Sequence, residues 1–114
     1  MCKVVFNITQ GWAEDEARLS SKDKEEIKDR LNHLGDIAKK NKWKNQLFRL
    51  KGLSMPIPKN KSKLYLYSIN KNINAVVAYD YDLLFNQRII SLYRVIPKSD
   101  SIKAFNSTAL NLYV

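Results

Sequence analysis

Residues 64–97 read LYLYSINKNINAVVAYDYDLLFNQRIISLYRVIP, and three β-rich runs within that stretch decide the fold. Leu64-Tyr65-Leu66-Tyr67-Ser68-Ile69 comes first, Ala75 to Tyr81 second and Arg88 to Ile96 third. Each is dense in β-branched and aromatic residues, which suit a pleated surface with at least one face buried. Asn70, Lys71 and Asn72 form the first turn, and Asp82, Phe85 and Asn86 lie in the second, so the runs follow one another as a meander. Pro97 ends the last run because it has no N–H to give to a ladder.

Working outward toward the N-terminus, Val4, Val5, Phe6 and Ile8 make a short opening strand that stops before Gly11. From Trp12 the pattern turns helical: Trp12 and Leu19 are seven apart, Ala13 and Ala17 four apart, and Glu14, Asp15 and Glu16 would occupy the first turn, where carboxylates suit the helix dipole. A second helix starts at Ser20, which forms a capping-box-like pair with Asp23. It carries Ile27, Leu31, Leu34, Ile37 and Ala38 on one face and closes on Lys39 and Lys40. His33 lies beside that stripe and reads as a surface residue, while Trp12 and Trp43 read as packing anchors. Leu47 to Lys51 alternates like a strand before Gly52, and Met55 to Lys61, with Pro56 and Pro58, reads as a loop. Beyond Pro97, the residues Ser101, Ile102, Ala104, Phe105, Ala109, Leu110 and Leu112 give a short terminal helix or a tail docked on the sheet. The expectation is one α+β domain over residues 1–114: an N-terminal strand, a two-helix hairpin, then a mostly antiparallel sheet of three to four strands and a short C-terminal element.

Charge is distributed unevenly along this framework. Between Asp36 and Asp80 stand ten Lys or Arg residues and no Asp or Glu. Residues 1–36 hold six basic and eight acidic side chains, a net −2, whereas residues 37–114 hold fourteen basic and three acidic, a net +11. Clustered cations without counter-charges repel one another, so a polyanionic partner, nucleic acid first, is the natural reading. A solvated, solubilising face is the plain alternative. The single Cys2 cannot form an internal disulfide, which favours a reducing, cytoplasmic setting. With only Cys2, His33 and scattered acids to draw on, the sequence offers no zinc-type ligand cluster, and no metal or cofactor is expected. Its apolar runs are too short to span a membrane, and no signal peptide is expected, since Asn7 and Thr9 soon interrupt the opening apolar stretch.

The opening strand, the charged helical hairpin, the Leu50-Lys51-Gly52-Leu53 turn, and the strands Lys63-Leu64-Tyr65-Leu66-Tyr67, Ala75-Val76-Val77-Ala78-Tyr79 and Ile89-Ile90-Ser91-Leu92-Tyr93-Arg94-Val95 together resemble the RelE/ParE superfamily of toxin-antitoxin toxins. The resemblance covers most of residues 3–106 and rests on element order and weak motifs. It implies a small toxin whose concave sheet surface engages ribosome-bound messenger RNA, which it cleaves, or DNA gyrase in the ParE branch. It also implies a cognate antitoxin that covers that surface. Cleavage in this family needs no metal: a side chain helps deprotonate a ribose 2′-hydroxyl, cations stabilise the phosphorane, and an acid protonates the leaving 5′-oxygen.

Carried over residue by residue, the resemblance puts Arg49 and Lys51 in the place of the family's paired basic residues, on one face of their strand, and Arg94 and Lys98 where family nucleases place a basic catalytic group. Lys63 extends the positive surface, Arg88 is a further RNA contact, and Tyr79 and Tyr93 are the preferred base-stacking residues among the strand tyrosines. Tyr113 is a further candidate acid. The chain departs from the family at Ile73-Asn74-Ala75-Val76, where many members begin the strand with a Tyr-Arg pair whose arginine clamps the phosphate; Arg88 or Arg94 is left to supply that cation. Three classes of activity follow: a ribosome-dependent endoribonuclease, a gyrase poison, and a protein-binding member of the fold without catalysis. Arg49 and Lys51 also have a plain reading as edge-strand charges that discourage pairing.

Overall fold

Strand β1 (Lys3–Ile8) lies at one edge of a four-stranded sheet, ordered β1-β4-β3-β2. The computed structural model of the chain describes residues 3–39 and 64–113, with side chains placed as far as Asn111. After β1 come helices α1 (Gln10–Ala17) and α2 (Ser21–Lys39), strands β2 (Leu64–Ser68), β3 (Ile73–Asp82) and β4 (Gln87–Pro97), a 3-10 turn over Lys98–Asp100, and helix α3 (Ser101–Tyr113). The α+β layout expected from the sequence is therefore the observed one. Its terminal element is a helix, and the strand expected over Leu47–Lys51, the loop over Met55–Lys61 and Trp43 lie outside the described residues. No helix among the described residues is long and apolar enough to cross a membrane.

The β2-β3 and β3-β4 pairs are antiparallel, as a meander requires, but β1 runs parallel to β4, with Val4 beside Arg88 and Ile8 beside Leu92. A parallel neighbour needs a crossover, and α1, α2, β2 and β3 all intervene before the chain returns alongside β1. Strands β3 and β4 are thus central and covered on both faces, which explains the almost unbroken apolar run at Ala75 to Ala78.

Alternation along the strands feeds two cores. On one face Tyr67, Ala75, Val77, Ile90, Leu92 and Val95 pack under Trp12 of α1 and Ile27, Leu34, Ile37 and Ala38 of α2. On the other, Leu64, Leu66, Val76, Ala78 and Ile96 pack against Ala104, Phe105 and Ala109 of α3. Trp12 is only 1% exposed, and its indole N–H donates to Glu16 Oε2 at 3.0 Å, so its polar edge is satisfied within α1. Ser20 Oγ accepts from the Asp23 N–H at 3.2 Å, the cap that the sequence announces for α2. His33 is exposed, as its position beside the apolar stripe suggests.

Helix α1 departs from its sequence reading. It begins at Gln10, capped by Thr9, so Glu14, Asp15 and Glu16 sit beyond its first turn. The first-turn dipole role is therefore corrected. Ala13 and Ala17 are exposed, and Asp15 points inward with 7% exposure. Gly11 reaches an approach that a side chain would obstruct: a Cβ there would stand 3.0 Å from the Tyr93 carbonyl oxygen.

Candidate functional site

Two side-chain clusters, one at each end of β4, account for the sequence-selected site residues that the structure describes, except Tyr93, which packs on the other face of the sheet. At the lower end, the β3-β4 register sets Tyr81 directly opposite Arg88 and Tyr79 opposite Ile90. Residues two apart share a face, so Tyr79 and Tyr81 both stand beside Arg88, on the side covered further up by α1 and α2. The Arg88 guanidinium carbon lies 5.3 Å from the Tyr81 ring centre and 6.0 Å from that of Tyr79, and Arg88 Nη1 donates to the Tyr79 hydroxyl. Tyr81 in turn donates to Asn86 Oδ1 at 2.6 Å. The result is a cation held over two aromatic faces, the mixture of charge and π-surface that single-stranded nucleic acid uses for phosphate contact and base stacking.

This end of the sheet is also where the acid-free segment joins the fold. Helix α2 ends at Lys39, beside Val4 and Phe6 of β1, and the chain resumes at Leu64, which pairs with Ala78. Arg49, Lys51 and Lys63 belong to the intervening sequence and lie outside the described residues.

At the upper end Arg94 and Lys98 meet a different environment. Strand β1 stops opposite Leu92, and among the described residues the next part of β4 has no strand neighbour on that side. Helix α1 takes its place. The Thr9 hydroxyl donates to Leu92 O at 2.8 Å, and Asp15 Oδ2 accepts the Val95 N–H at 3.1 Å. The same carboxylate receives Arg94 through Nε at 2.6 Å and Nη2 at 3.1 Å, a bidentate pair. The hydrogen bond to Asp15 raises the Arg94 pKa above its already high ordinary value, against a smaller opposing effect of burial. Arg94 therefore ties α1 to the sheet edge as an ionised group.

The pair borders a cavity of about 570 Å³ between α1, the end of β4 and α3, lined by Arg18, Leu19, Val95, Ile96, Lys103 and Ala104 among others. Lys98 opens the 3-10 turn nearby with an exposed side chain; its backbone N–H donates to Asn72 O at 2.9 Å and its carbonyl accepts from Ser101 Oγ at 2.7 Å. Tyr93 falls at the register shift where Val77 pairs with Leu92 and Val76 with Arg94, and it packs half-buried on the α3 side. The structure thus unites Arg88 with Tyr79 and separates them from Tyr93, Arg94 and Lys98 by most of β4 and, for Tyr93, by the sheet itself. Asn74 and Ala75, at the family's clamp position, face inward roles: Asn74 Nδ2 donates to Ser101 Oγ at 3.3 Å and Ala75 is wholly buried. The Tyr113 side chain lies outside the described residues.

Sequence reasoning missed Asp15, whose partner is 79 positions away. It named Tyr81 as a possible stacker but preferred Tyr79 and Tyr93. The hairpin arithmetic, with Asp82 and Gln87 closing the turn, would have placed Tyr81 on Arg88. No group of three or more His, Cys, Asp or Glu side chains able to hold a metal ion occurs among the described residues. No family model, no curated protein and no solved structure matches this chain.

Proposed function

We propose that the protein is a toxin of the RelE/ParE kind, a metal-independent endoribonuclease that acts on messenger RNA at the ribosome and is held in check by a cognate antitoxin. One observation carries the reading: Arg88, Tyr79 and Tyr81 form a cation-aromatic platform at the end of the sheet from which the acid-free segment leaves and re-enters the fold. On this reading Arg88 and the tyrosines grip the RNA strand, and Arg49, Lys51 and Lys63, with no acid nearby in sequence, supply phosphate contacts and charge stabilisation.

The test is a translating extract. Purified protein cuts messenger RNA only when ribosomes are engaged, and Arg49→Ala combined with Lys51→Ala abolishes cutting while the circular dichroism spectrum is unchanged. Growth arrest with intact messenger RNA overturns cleavage.

The binding of Arg94 by Asp15, together with the inward role of Asn74, favours a second reading, in which the same platform binds a target without cutting it, as in a gyrase poison. Induced DNA-damage signalling with translation intact distinguishes it.

A further inference from the structure

The turn between β3 and β4 presents three consecutive large apolar side chains to solvent: Leu83 is 83% exposed, Leu84 85% and Phe85 70%. The turn is held by its own hydrogen bonds. Asp82 Oδ1 accepts from Leu84 N at 3.0 Å and Phe85 N at 3.4 Å, Asn86 adopts a left-handed φ of 48°, and the Lys3 N–H donates to Asn86 O at 3.3 Å. This is a preorganised convex knuckle. Exposed apolar residues scattered singly need no explanation, but a contiguous and rigidly displayed set marks an interaction surface.

The cavity between α1 and α3 is large enough to receive such side chains and combines an apolar lining with cationic groups. Its floor is apolar, with Leu19, Val95, Ile96, Pro97 and Ala104, and its volume of about 570 Å³ exceeds that of two leucine side chains and one phenylalanine ring. Its rim carries Arg18, Lys103 and the Asp15-bound Arg94, with Asp100 as the remaining acid. Asp80 and Asp82, two of the three acids in residues 37–114, immediately precede the knuckle. Knuckle and cavity lie at opposite ends of β4, so no chain can fill its own cavity with its own knuckle: Ile96 lies eleven positions beyond Phe85 along nearly the whole strand, roughly 35 Å away.

We infer that the knuckle of one copy docks in the α1-α3 cavity of a second copy, giving head-to-tail self-association of this chain. Two convex knuckles cannot enclose each other, which disfavours a symmetric tip-to-tip dimer. A single knob-in-cavity contact leaves one free knuckle and one free cavity, from which the assembly grows further or closes on itself. The inference is independent of what the toxin reading assigns to the Arg88 platform.

Sedimentation equilibrium of the full chain from low to several hundred micromolar tests it. The weight-average mass should rise with concentration above the monomer mass of 13.3 kDa. Leu84→Ser with Phe85→Ser should hold the chain monomeric, as should Arg18→Glu with Lys103→Glu, all at exposed positions. Mixing the two variants at equal concentration should restore one contact and give a plateau at twice the monomer mass, because the first retains a cavity and the second a knuckle. A chain monomeric throughout, association that survives the knuckle substitutions, or a mixture that stays monomeric would each overturn the inference. So would loss of anionic-vesicle binding on Leu84→Ser in a chain that never self-associates, since that would make the knuckle a lipid contact.

Discussion

Replacing Asp15 with alanine isolates the device that closes the β4 edge beyond the end of β1. The carboxylate accepts from Val95 N, Arg94 Nε and Arg94 Nη2, and it is 7% exposed against 37% for the arginine side chain. Removing it strands the buried Val95 N–H, whose acceptor it is, a loss of about 1–3 kcal/mol. The ion pair itself adds only about 0.5–1 kcal/mol, because the guanidinium keeps substantial solvent contact. The sum, about 2–4 kcal/mol, is a large part of the 5–15 kcal/mol typical of a domain. Arg94→Met leaves the Val95 N–H satisfied and should cost less, about 1–2 kcal/mol. The double variant should be no worse than Asp15→Ala alone, since Arg94 has then already lost its partner. Urea unfolding followed by far-ultraviolet circular dichroism reads these differences as midpoint shifts of roughly 1–2 M for Asp15→Ala. The reasoning fails if Asp15→Ala unfolds within about 0.5 kcal/mol of the parent, or if the two single losses add in the double variant.

Three further outcomes follow from particular contacts. Gly11→Ala should destabilise by about 1–2 kcal/mol in urea despite the better helix propensity of alanine, because the new Cβ would stand 3.0 Å from the Tyr93 carbonyl oxygen, a backbone atom that cannot swing away. Gly35→Ala should be neutral or stabilising by up to about 1 kcal/mol, since its Cβ would meet only the Phe6 ring, at 3.7 Å. Burial pushes the Tyr67 phenol above its ordinary value of 10.0, opposed in part by Arg30, so the folded state holds the proton more firmly than the unfolded chain. That contribution is intact below pH 10.0 and is lost as pH rises toward the folded value. Tyr67→Phe should cost about 1 kcal/mol at pH 8 through the lost bond to Arg30 O, with the gap to the parent narrowing above pH 10; a gap constant up to pH 11 would contradict it.

What could be read from the chain alone was governed by how local the signal is. The α2 stripe Ile27, Leu34, Ile37, Ala38 is buried as its spacing implies, the Ser20 cap is made, and β4 ends at Pro97 where the missing N–H demands it. Local turn chemistry did less well at Gly11, which looked like a break and instead lies inside α1, pressed against β4. The parallel pairing of β1 with β4 joins residues more than eighty positions apart, and no periodicity within either strand encodes it. Because that pairing was illegible, so was its consequence: α1 must finish the edge that β1 leaves, which turns Asp15 from a surface acid into a buried acceptor.

The site divides along the same line. Arg88 and Tyr79 are linked through a hairpin register, and the sequence brought both forward; Tyr93 and Arg94 fall at a register shift that alternation cannot foresee, and there Tyr93 leaves the face that holds Tyr79 while Arg94 pairs with Asp15. The same argument bears on the proposed chemistry. A guanidinium that already holds a carboxylate by two hydrogen bonds and closes a sheet edge must break that pair before it can stabilise a phosphorane. Arg88 instead packs on the Tyr79 and Tyr81 rings and donates to the Tyr79 hydroxyl, so this cation is presented together with the aromatic faces of the proposed RNA platform. If the chain cleaves RNA, Arg88→Ala should therefore lower cleavage by more than any loss of folded protein accounts for, whereas Arg94→Met should lower stability in urea and reduce cleavage only in proportion to the unfolded fraction. Cleavage lost in fully folded Arg94→Met would assign the chemistry to the upper end of β4 instead.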